Sequence, residues 1–323
     1  MDHVNWGILG ASNFARNHMG PALHAAPGGQ LVALATSSPD KAAPFRQIAP
    51  EMRVHDSYDA LLADPAIDAV YIPLPNTMHV PWTQKALAHG KHVLTEKPVA
   101  MTAPEIDTLI AARDAANKLA AEAFMIVFHP QWQRVRDLIS GGAIGPMIHV
   151  DGVFSFMNRD AGNIRNQAAM GGGALRDIGV YVLGATRFVT GQEPSDISAR
   201  IRWDAGCDVV TEIGGMFGRA SYRALISTRM HPRQDMNFHG EDGVIKLTAP
   251  FNPQSFGEAR VELHQAGQTV VTERFPMARH YELQVAAFNA SVLTGASYAC
   301  PLEFSKGTQV AIDRVLEVQV PME

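Results

Sequence analysis

Cysteine is scarce in this sequence: Cys207 and Cys300 are the only two among 323 residues. So few thiols exclude a disulfide framework and are typical of proteins from a reducing compartment. The 13 histidines do not combine with other ligands at a recognisable metal-binding spacing, so we expect no metal site.

Long apolar runs and basic runs are also missing. No apolar stretch approaches the roughly 20 residues that span a bilayer, and the start of the chain has no basic segment followed by an apolar one, as an export signal would. The formal net charge of −5 and the lack of a Lys/Arg-rich run exclude an ordinary nucleic-acid-binding surface. We therefore expect a cytoplasmic protein whose partner is a small molecule, neither a nucleic acid nor a membrane. Its length predicts two domains.

Residues 1–124 alternate short β-branched segments with longer helical patterns. Nearly continuous apolar strands separated by helices are typical of a parallel sheet covered on both faces. The predicted strands are Trp6–Leu9, Leu31–Ala35, Asp68–Ile72, His92–Thr95 and Leu119–Phe124. The fold class is thus α/β, and we predict that residues 1–124 form a doubly wound, dinucleotide-binding Rossmann domain.

The pattern changes after residue 124. Many later strands alternate apolar and polar residues, as a half-buried antiparallel sheet requires. The predicted strands are His149–Phe156, Ile197–Trp203, Val209–Phe217, Tyr222–Thr228, Gly243–Leu247, Val261–His264 and Val270–Phe275. We predict that residues 125–323 form an α+β domain for substrate binding and oligomerisation, with a large, mostly antiparallel sheet. The C-terminal helix is a candidate to pack back on the first domain.

The first strand runs into a degraded G-x-G-x-x-G/A dinucleotide fingerprint. Gly10 and Ala15 hold its first and third positions, whereas Ser12 stands in place of the second glycine. The first glycine permits a tight turn, the small third residue lets helix pack on strand, and the helix N-terminus offers N–H groups to a pyrophosphate. Ser12 limits backbone approach, but its hydroxyl can bind a phosphate; the alternative is an ordinary β-α turn. The loop residues predicted to contact the cofactor are Gly10, Ala11, Ser12, Asn13 and Phe14.

The second strand ends in Thr36-Ser37-Ser38, with no carboxylate until Asp40. An Asp or Glu at this point usually binds the ribose 2′-hydroxyl of NAD. Ser37, Ser38 and Lys41 could instead receive the 2′-phosphate of NADP, which a carboxylate would repel. The sequence therefore favours NADP(H) over NAD(H), although Ser38 is also well placed to cap the following helix.

The predicted strand His92–Thr95 runs into Glu96-Lys97-Pro98 at the carboxyl edge of the sheet, where open parallel sheets bind ligands. Pro98 favours an extended backbone at Lys97, and a lysine at this edge can bind a substrate hydroxyl. The alternative is a lysine on a solvated loop.

Three consecutive glycines lead into a predicted helix on which Asp177 and Tyr181 lie four residues apart. Residues at this spacing share one face of an α-helix. A carboxylate and a phenol on one face make a suitable wall for a hydroxylated substrate. The alternative is an ion pair of Asp177 with Arg176 or Arg165 and a tyrosine packed in the core.

Taken together, these segments resemble the glucose–fructose oxidoreductase / inositol dehydrogenase (Gfo/Idh/MocA) family. The E-K-P motif and the pattern G-G-G-x-L-x-D-x-G-x-Y, in this order and separation, are the strongest signals. The resemblance extends over nearly the whole chain and includes residues 10–15, 73–79, 90–98, 121–125, 163–165 and 171–181. It implies an N-terminal Rossmann domain, a C-terminal domain with a large sheet, and a homodimer or homotetramer formed through that sheet.

The resemblance also implies roles for individual residues. Lys97 matches the family lysine that contacts the reacting hydroxyl, and Asp177 matches an acidic substrate-binding residue. Tyr181 stands where the inositol dehydrogenase branch has a histidine. A tyrosine at this position is similar to glucose–fructose oxidoreductase, D-xylose dehydrogenase and dihydrodiol dehydrogenase. Arg165 falls where the family has an arginine near the nicotinamide or substrate, whereas Arg176 stands where an aliphatic residue is expected. The remaining predicted cofactor contacts are Pro73, Leu74, Asn76, His79, Glu96, Lys97, Pro98 and Arg165.

We therefore predict an NAD(P)-dependent oxidoreductase that transfers a hydride between nicotinamide and a sugar, cyclic polyol or diol. In this hypothesis Tyr181 exchanges the hydroxyl proton with the help of Lys97, and Asp177 binds the substrate. Two alternatives within the same family are a non-catalytic NAD(P)-sensing regulator and a glycosidase that uses NAD. Asn76 and His79 have a second interpretation, as a helix cap and an ordinary first-turn residue.

Overall fold

The computed structural model describes residues 2–322 and divides them into two compact units. The first unit runs to Phe128 and includes Arg279–Lys306, whereas the second comprises His129–Ala278 and the residues from Gly307 onward. The first boundary lies close to the division predicted after residue 124. The segment 279–306, which falls within the predicted second domain, groups with the first unit.

Within residues 2–128, six strands form one sheet in which every neighbouring pair is parallel. The strands are β1 (Val4–Leu9), β2 (Gly29–Ala35), β3 (Arg53–His55), β4 (Ala69–Ile72), β5 (His92–Thr95) and β6 (Ala120–Glu122). Their order across the sheet is β3-β2-β1-β4-β5-β6. The order reverses between β1 and β4, so their carboxyl ends flank the switch point at which doubly wound sheets bind ligands. The predicted parallel Rossmann sheet is confirmed.

The α-helices of residues 2–322 follow in chain order: α1 (Gly20–Ala25), α2 (Pro39–Ala42), α3 (Tyr58–Ala63), α4 (His79–Ala88), α5 (Ala103–Ala116), α6 (Pro130–Ser140), α7 (Val180–Thr190), α8 (His280–Thr294) and α9 (Leu302–Val318). A capping box of Thr102 and Glu105 begins α5, and Asn117 in the left-handed region ends it. Both ends of this helix therefore have the usual start and stop signals. None of the described helices has the length and apolar character needed to cross a membrane.

Helix α8 belongs to the core of the first unit. The indole Nε1 of Trp6 donates to Oδ1 of Asn289 over 2.9 Å, and Nδ2 of Asn289 donates to the carbonyl of Pro27, also over 2.9 Å. The rings of Trp6 and Phe288 lie 5.0 Å apart. Trp6 and Asn289 are fully buried. Helix α8 therefore contacts β1 through a buried hydrogen bond and through the packing of two aromatic rings. This packing is why residues 279–306 group with the first unit.

In the second unit, the nine described strands form a mixed, mostly antiparallel sheet, as predicted. They are β7 (Met147–Met157), β8 (Pro194–Asp204), β9 (Cys207–Phe217), β10 (Ala220–Ser227), β11 (Arg229–Gly240), β12 (Gly243–Leu247), β13 (Arg260–Gln265), β14 (Thr269–Arg274) and β15 (Gln319–Pro321). Their order is β14-β13-β12-β11-β7-β10-β9-β8-β15, with parallel pairing at β7–β10 and β8–β15. The oligomer contact predicted for this sheet stays a prediction.

Strand β11 has no counterpart among the predicted strands, because Pro232 and several charged residues interrupt its apolar pattern. Its pairing register with β7 shifts between Arg229 and Arg233, so an irregularity in the ladder accommodates the proline. Beyond this point Met236 and Phe238 alternate inward and are fully buried. The strand therefore depends on its neighbours in the sheet more than on its own composition.

Candidate active site

The carboxyl end of β1 makes a tight turn at Gly10, whose φ of +100° lies in the region that favours glycine. The Gly10 N–H donates to the Ala35 carbonyl over 3.0 Å, which ties the turn to β2. A Cβ added to Gly10 would lie 3.1 Å from Cδ2 of Leu74 and 3.2 Å from the hydroxyl of Tyr58. A larger residue would thus crowd both side chains and strain the backbone.

Ser12 caps the helix that follows this turn. Its Oγ accepts a hydrogen bond from the Ala15 N–H over 3.0 Å, and the hydroxyl retains its own proton as a donor for a phosphate oxygen. Ala11 and Phe14 are half-buried, and Asn13 is exposed. The loop fits the pyrophosphate of a dinucleotide through its glycine turn, its serine donor and the start of the helix.

The loop after β2 presents hydroxyl groups. Ser38 Oγ accepts from the Lys41 N–H over 3.4 Å and caps α2, so the capping interpretation of Ser38 is confirmed. The Ser38 N–H in turn donates to Oγ1 of Thr36 over 3.3 Å. Ser37 and Lys41 are exposed. Capping does not exclude a phosphate contact, because a serine hydroxyl can accept and donate at once.

Two carboxylates fix the turn that carries Lys97. Glu96 accepts a hydrogen bond from the Tyr71 hydroxyl over 2.6 Å and one from the Lys97 N–H over 3.3 Å. Glu122, at the end of β6, accepts one from the Val99 N–H over 2.8 Å. Burial raises the pKa of Glu96, against the opposing effects of the Lys97 charge and the Tyr71 hydrogen bond. These contacts place the half-buried Lys97 on an ordered turn.

His79 links this turn to the loop after β4. Its Nδ1 lies 2.7 Å from the Pro98 carbonyl and its Nε2 lies 2.8 Å from the Leu74 carbonyl, and its side chain is buried. Burial lowers the pKa of the imidazole below its usual range. Both ring nitrogens therefore face backbone, and His79 joins two loops at the carboxyl edge of the sheet. Pro73 and Asn76 lie half-buried beside it.

In the second unit, the glycine-rich turn brings Arg165 against the start of the next helix. A Cβ on Gly172 would lie 2.6 Å from the carbonyl oxygens of both Ile164 and Arg165, so this close backbone approach requires glycine. The Gly173 N–H donates to the Arg165 carbonyl over 2.9 Å. Asn163 accepts from the Arg165 N–H over 3.1 Å and caps the short turn that follows. The glycines of the motif thus dock the Arg165 turn.

The docked Arg165 pairs with Asp177, and its Nε donates to Oδ2 over 2.6 Å. Asp177 and Tyr181 are both buried, and the Tyr181 ring lies 5.6 Å from the rings of Phe154 and Phe251. The ion pair and the packed tyrosine, which were the structural alternative, are therefore confirmed. They do not exclude substrate binding, because a paired carboxylate keeps further lone pairs as acceptors.

The helix that carries these residues opens with a π-helical turn, Leu175–Gly179, before α7. The uniform α-helical spacing expected for Asp177 is therefore wrong for this first turn. Turns of this kind are frequent at functional sites. The positive charge of Arg176, within the same turn, acts on the carboxyl of Asp208 and helps to keep it ionised.

Three residues of these sites were not predicted as site residues, although Glu122 lies in the segment 121–125 of the family resemblance. Tyr58 lies against the Gly10 turn, Glu122 holds the turn of Lys97, and Asp208 binds the N–H at the start of the Asp177 helix. Each reaches its partner from a distant part of the chain. A motif search along one sequence detects only residues that are close together in it, so it passes over such contacts.

Comparisons with known proteins agree with this fold. The family descriptions "Oxidoreductase family, NAD-binding Rossmann fold" and "GFO/IDH/MocA C-terminal domain" match residues 4–124 and 132–246. An uncharacterized oxidoreductase of Rhizobium meliloti is 37% identical over 322 residues, covering 98% of this chain and 96% of its own. The D-xylose 1-dehydrogenase (NADP(+)) 2 of Haloferax volcanii is 32% identical, covering 97% and 96%.

A solved structure is similar over the same length. A 3-ketoreductase from Actinomadura kijaniata, in complex with NADP and TDP-benzene, matches with a TM-score of 0.91 at 27% identity and 99% coverage of both chains. The family resemblance predicted from the motifs is confirmed by these matches. This chain belongs to the GFO/IDH/MocA family of NAD(P)-dependent oxidoreductases.

Proposed function

We propose that this oxidoreductase transfers a hydride between NADP(H) and a CH–OH or C=O carbon of a sugar or a cyclic diol. The observation that carries the proposal is the Arg165–Asp177 ion pair at the start of the helix that also carries Tyr181, after the glycine-rich turn. It groups an anion, a cation and a phenol, a set that can hydrogen-bond several hydroxyls of one substrate. The related xylose dehydrogenase supports a sugar as the substrate.

Each side chain has a distinct task in this proposal. When bound, the nicotinamide supplies the donor or acceptor of the hydride. Tyr181 exchanges the proton of the reacting hydroxyl, a general acid–base step that contributes about 10²- to 10⁴-fold. Lys97 donates a hydrogen bond to the reacting oxygen. Asp177 accepts one from a neighbouring substrate hydroxyl, while Arg165 holds the carboxylate in place.

We further propose NADP(H) as the preferred cofactor. Ser37 and Lys41 are exposed after β2, and residues 36–39 include no carboxylate that would repel a 2′-phosphate. The name of the xylose dehydrogenase and the NADP bound to the 3-ketoreductase support this preference.

A turnover screen tests the proposed function. Aldoses, cyclic polyols, dihydrodiols and TDP-sugars are supplied with NADP(+) or NADPH, and the change in NADPH absorbance is followed. We expect Lys97→Met and Tyr181→Phe to lower kcat/KM by about 10²- to 10⁴-fold while NADPH still binds. The matched control is Tyr222→Phe, which removes the hydroxyl of another buried tyrosine of the second unit. Near-normal turnover by Lys97→Met or by Tyr181→Phe would contradict the assigned roles.

Two other outcomes would redirect the assignment. Binding of NADP(H) with no turnover of any substrate would favour an NAD(P)-sensing regulator. Cleavage of a chromogenic glycoside, with the cofactor released only on denaturation, would favour an NAD-dependent glycosidase.

A further inference from the structure

Asp208, near the start of β9, reaches the helix that carries Asp177. Its Oδ2 accepts a hydrogen bond from the Leu175 N–H over 2.6 Å and one from the Thr211 hydroxyl over 3.2 Å. The first N–H groups of a helix have no partner within it, and here a side chain 33 positions away satisfies one of them. Asp208 is buried, and the bond is short, as expected for a charged acceptor.

The same carboxylate accounts for the third glycine of the turn. Gly173 has a φ of +127°, and Oδ1 of Asp208 occupies the place where a Cβ would stand. A side chain at position 173 would displace the carboxylate and also strain the backbone. The Gly173 N–H donates a hydrogen bond to the Arg165 carbonyl. Asp208 therefore contacts both the turn that docks Arg165 and the start of the helix that carries Asp177.

Burial opposes the ionised form of the Asp208 carboxyl group. Burial raises the pKa of Asp208 to about 6, although hydrogen bonds from Leu175 and Thr211 and the charge of Arg176 oppose the shift. Because the folded protein binds this proton more tightly than the unfolded chain does, the free energy of unfolding falls as the pH rises towards 6 and stays lowered above it. Ionisation of Asp208 therefore lowers the free energy of unfolding, an effect that the hydrogen bonds from Leu175 and Thr211 oppose.

We propose that Asp208 is a positioning residue that locks the glycine-rich turn to the helix start and so holds Arg165 and Asp177 in the geometry that binds the substrate. The substrate part of this inference rests on the proposed function. The lock itself does not, since its contacts lie entirely within the second unit.

Variants of Asp208 test the lock through turnover, NADPH binding and hydrogen exchange of residues 171–181. In Asp208→Ala we expect kcat/KM to fall by roughly 10- to 100-fold, because a displacement of about 1 Å can cost about 10²-fold. The loss should appear mainly as a higher KM, with unchanged NADPH affinity and faster exchange of the Leu175 amide. Asp208→Asn retains an acceptor for that amide and should recover most of the loss. Asp204→Asn, at an exposed carboxylate of the same hairpin, is the control.

The outcomes separate the lock from a general loss of stability. Unchanged exchange and unchanged kcat/KM in a folded Asp208→Ala protein would overturn the inference. An equal loss of turnover and NADPH binding would also overturn it, because that is the result of a destabilised fold. If the wild-type protein turns over no substrate, the proposed function fails and exchange alone decides. Faster exchange at Leu175 then supports the lock, and unchanged exchange overturns it.

Discussion

The two units bring their candidate site residues together by different means. In the first unit, Gly10, Ser37, Leu74 and Lys97 each follow the carboxyl end of a strand by one or two residues. The parallel sheet brings those strand ends to one edge. Topology therefore brings them to the same edge, and a recognisable strand is enough to predict on which edge they lie.

In the second unit, individual contacts place the site residues. Arg165 and Asp177 meet because Gly172 and Gly173 admit close neighbours and because Asp208 binds the helix start. No rule of antiparallel topology would bring these groups together. A candidate cofactor site of this kind can therefore be located from strand ends, whereas the proposed substrate-binding residues depend on particular side chains.

One local feature is common to both units. The helix after Gly10 opens with a π-helical turn, Ala15–Met19, and the helix after Gly173 opens with another, Leu175–Gly179. In each case a turn that contains a glycine with a positive φ precedes the wider turn. Such turns are often found at functional sites, and here they occur in both candidate sites.

Two glycine substitutions should show the largest difference between the two units, one in NADPH binding and the other in turnover. Gly10→Ala should weaken NADPH binding by roughly 10- to 100-fold, because the methyl group crowds Leu74 and Tyr58 and the backbone is strained by about 1–3 kcal/mol. Gly173→Ala should leave NADPH binding intact and lower kcat/KM by a similar factor, since its methyl group displaces Asp208. Calorimetric titration and initial rates measure the two effects.

The controls for these variants are Gly90→Ala and Gly191→Ala. Both glycines have positive φ values, +72° and +65°, but a Cβ at either position meets nothing within 4 Å. They reproduce the backbone strain without the crowding, so both activities should persist. Loss of NADPH binding in Gly173→Ala would contradict the proposal that the first unit binds the cofactor and the turn at Gly173 serves substrate binding.

Asn289→Ala should destabilise the first unit. The change leaves the buried Trp6 indole N–H without its partner, at about 1–3 kcal/mol, and removes the hydrogen bond to the carbonyl of the exposed Pro27, at about 0.5–1.5 kcal/mol. We expect the free energy of unfolding of this unit to fall by about 2–4 kcal/mol. Hydrogen exchange should accelerate in β1 and β2 and remain unchanged in β9 and β10. Equal acceleration in both sheets would show that α8 does not act on the first unit alone.

Each unit also contains a histidine whose protonation the fold opposes. Burial lowers the pKa of His92 and of His129 from 6.5 to about 4, and their Nδ1 atoms accept hydrogen bonds from the N–H groups of Leu119 and Gln131. The unfolded chain therefore takes up these protons first. The contribution of these two histidines to stability should be complete above pH 6.5 and fall as the pH is lowered towards 4.

The variant His129→Asn isolates the share of the second unit in this pH dependence. Asparagine keeps an acceptor at the start of α6 but does not titrate. Urea denaturation at a series of pH values should show a flatter slope, with a difference of at most about 3 kcal/mol at the acid end. A slope equal to that of the wild-type protein would contradict the assigned pKa.

Ser37→Asp should have the smallest effect, confined to the first unit. A carboxylate at the end of β2 repels a 2′-phosphate and can bind a ribose 2′-hydroxyl. We expect NADPH affinity to fall by about tenfold, or about 1.4 kcal/mol, with little change for NADH. Equal changes for both cofactors, measured by calorimetry, would mean that Ser37 does not face the 2′ position.

The difference between the two units also accounts for which elements and site residues could be predicted from the sequence. The parallel sheet was predictable because its strands are nearly continuous apolar runs, and Lys97 because it follows one of them. Strand β11 could not be predicted, because Pro232 interrupts its pattern and the strand depends on pairing with its neighbours. The π-helical turn at Asp177 was missed because a change in hydrogen-bond register leaves no trace in composition. Asp208 was missed because its partner, Leu175, lies 33 positions away.

The most direct test is calorimetric titration of the wild-type protein with NADPH and NADH side by side. We expect both to bind, with NADPH the tighter, because the first unit is an NAD(P)-binding Rossmann fold whose β2 loop presents hydroxyls and a lysine. Tighter binding of NADH would contradict the 2′-phosphate interpretation. Failure to bind either cofactor would contradict the assignment of this chain as a working NAD(P)-dependent oxidoreductase.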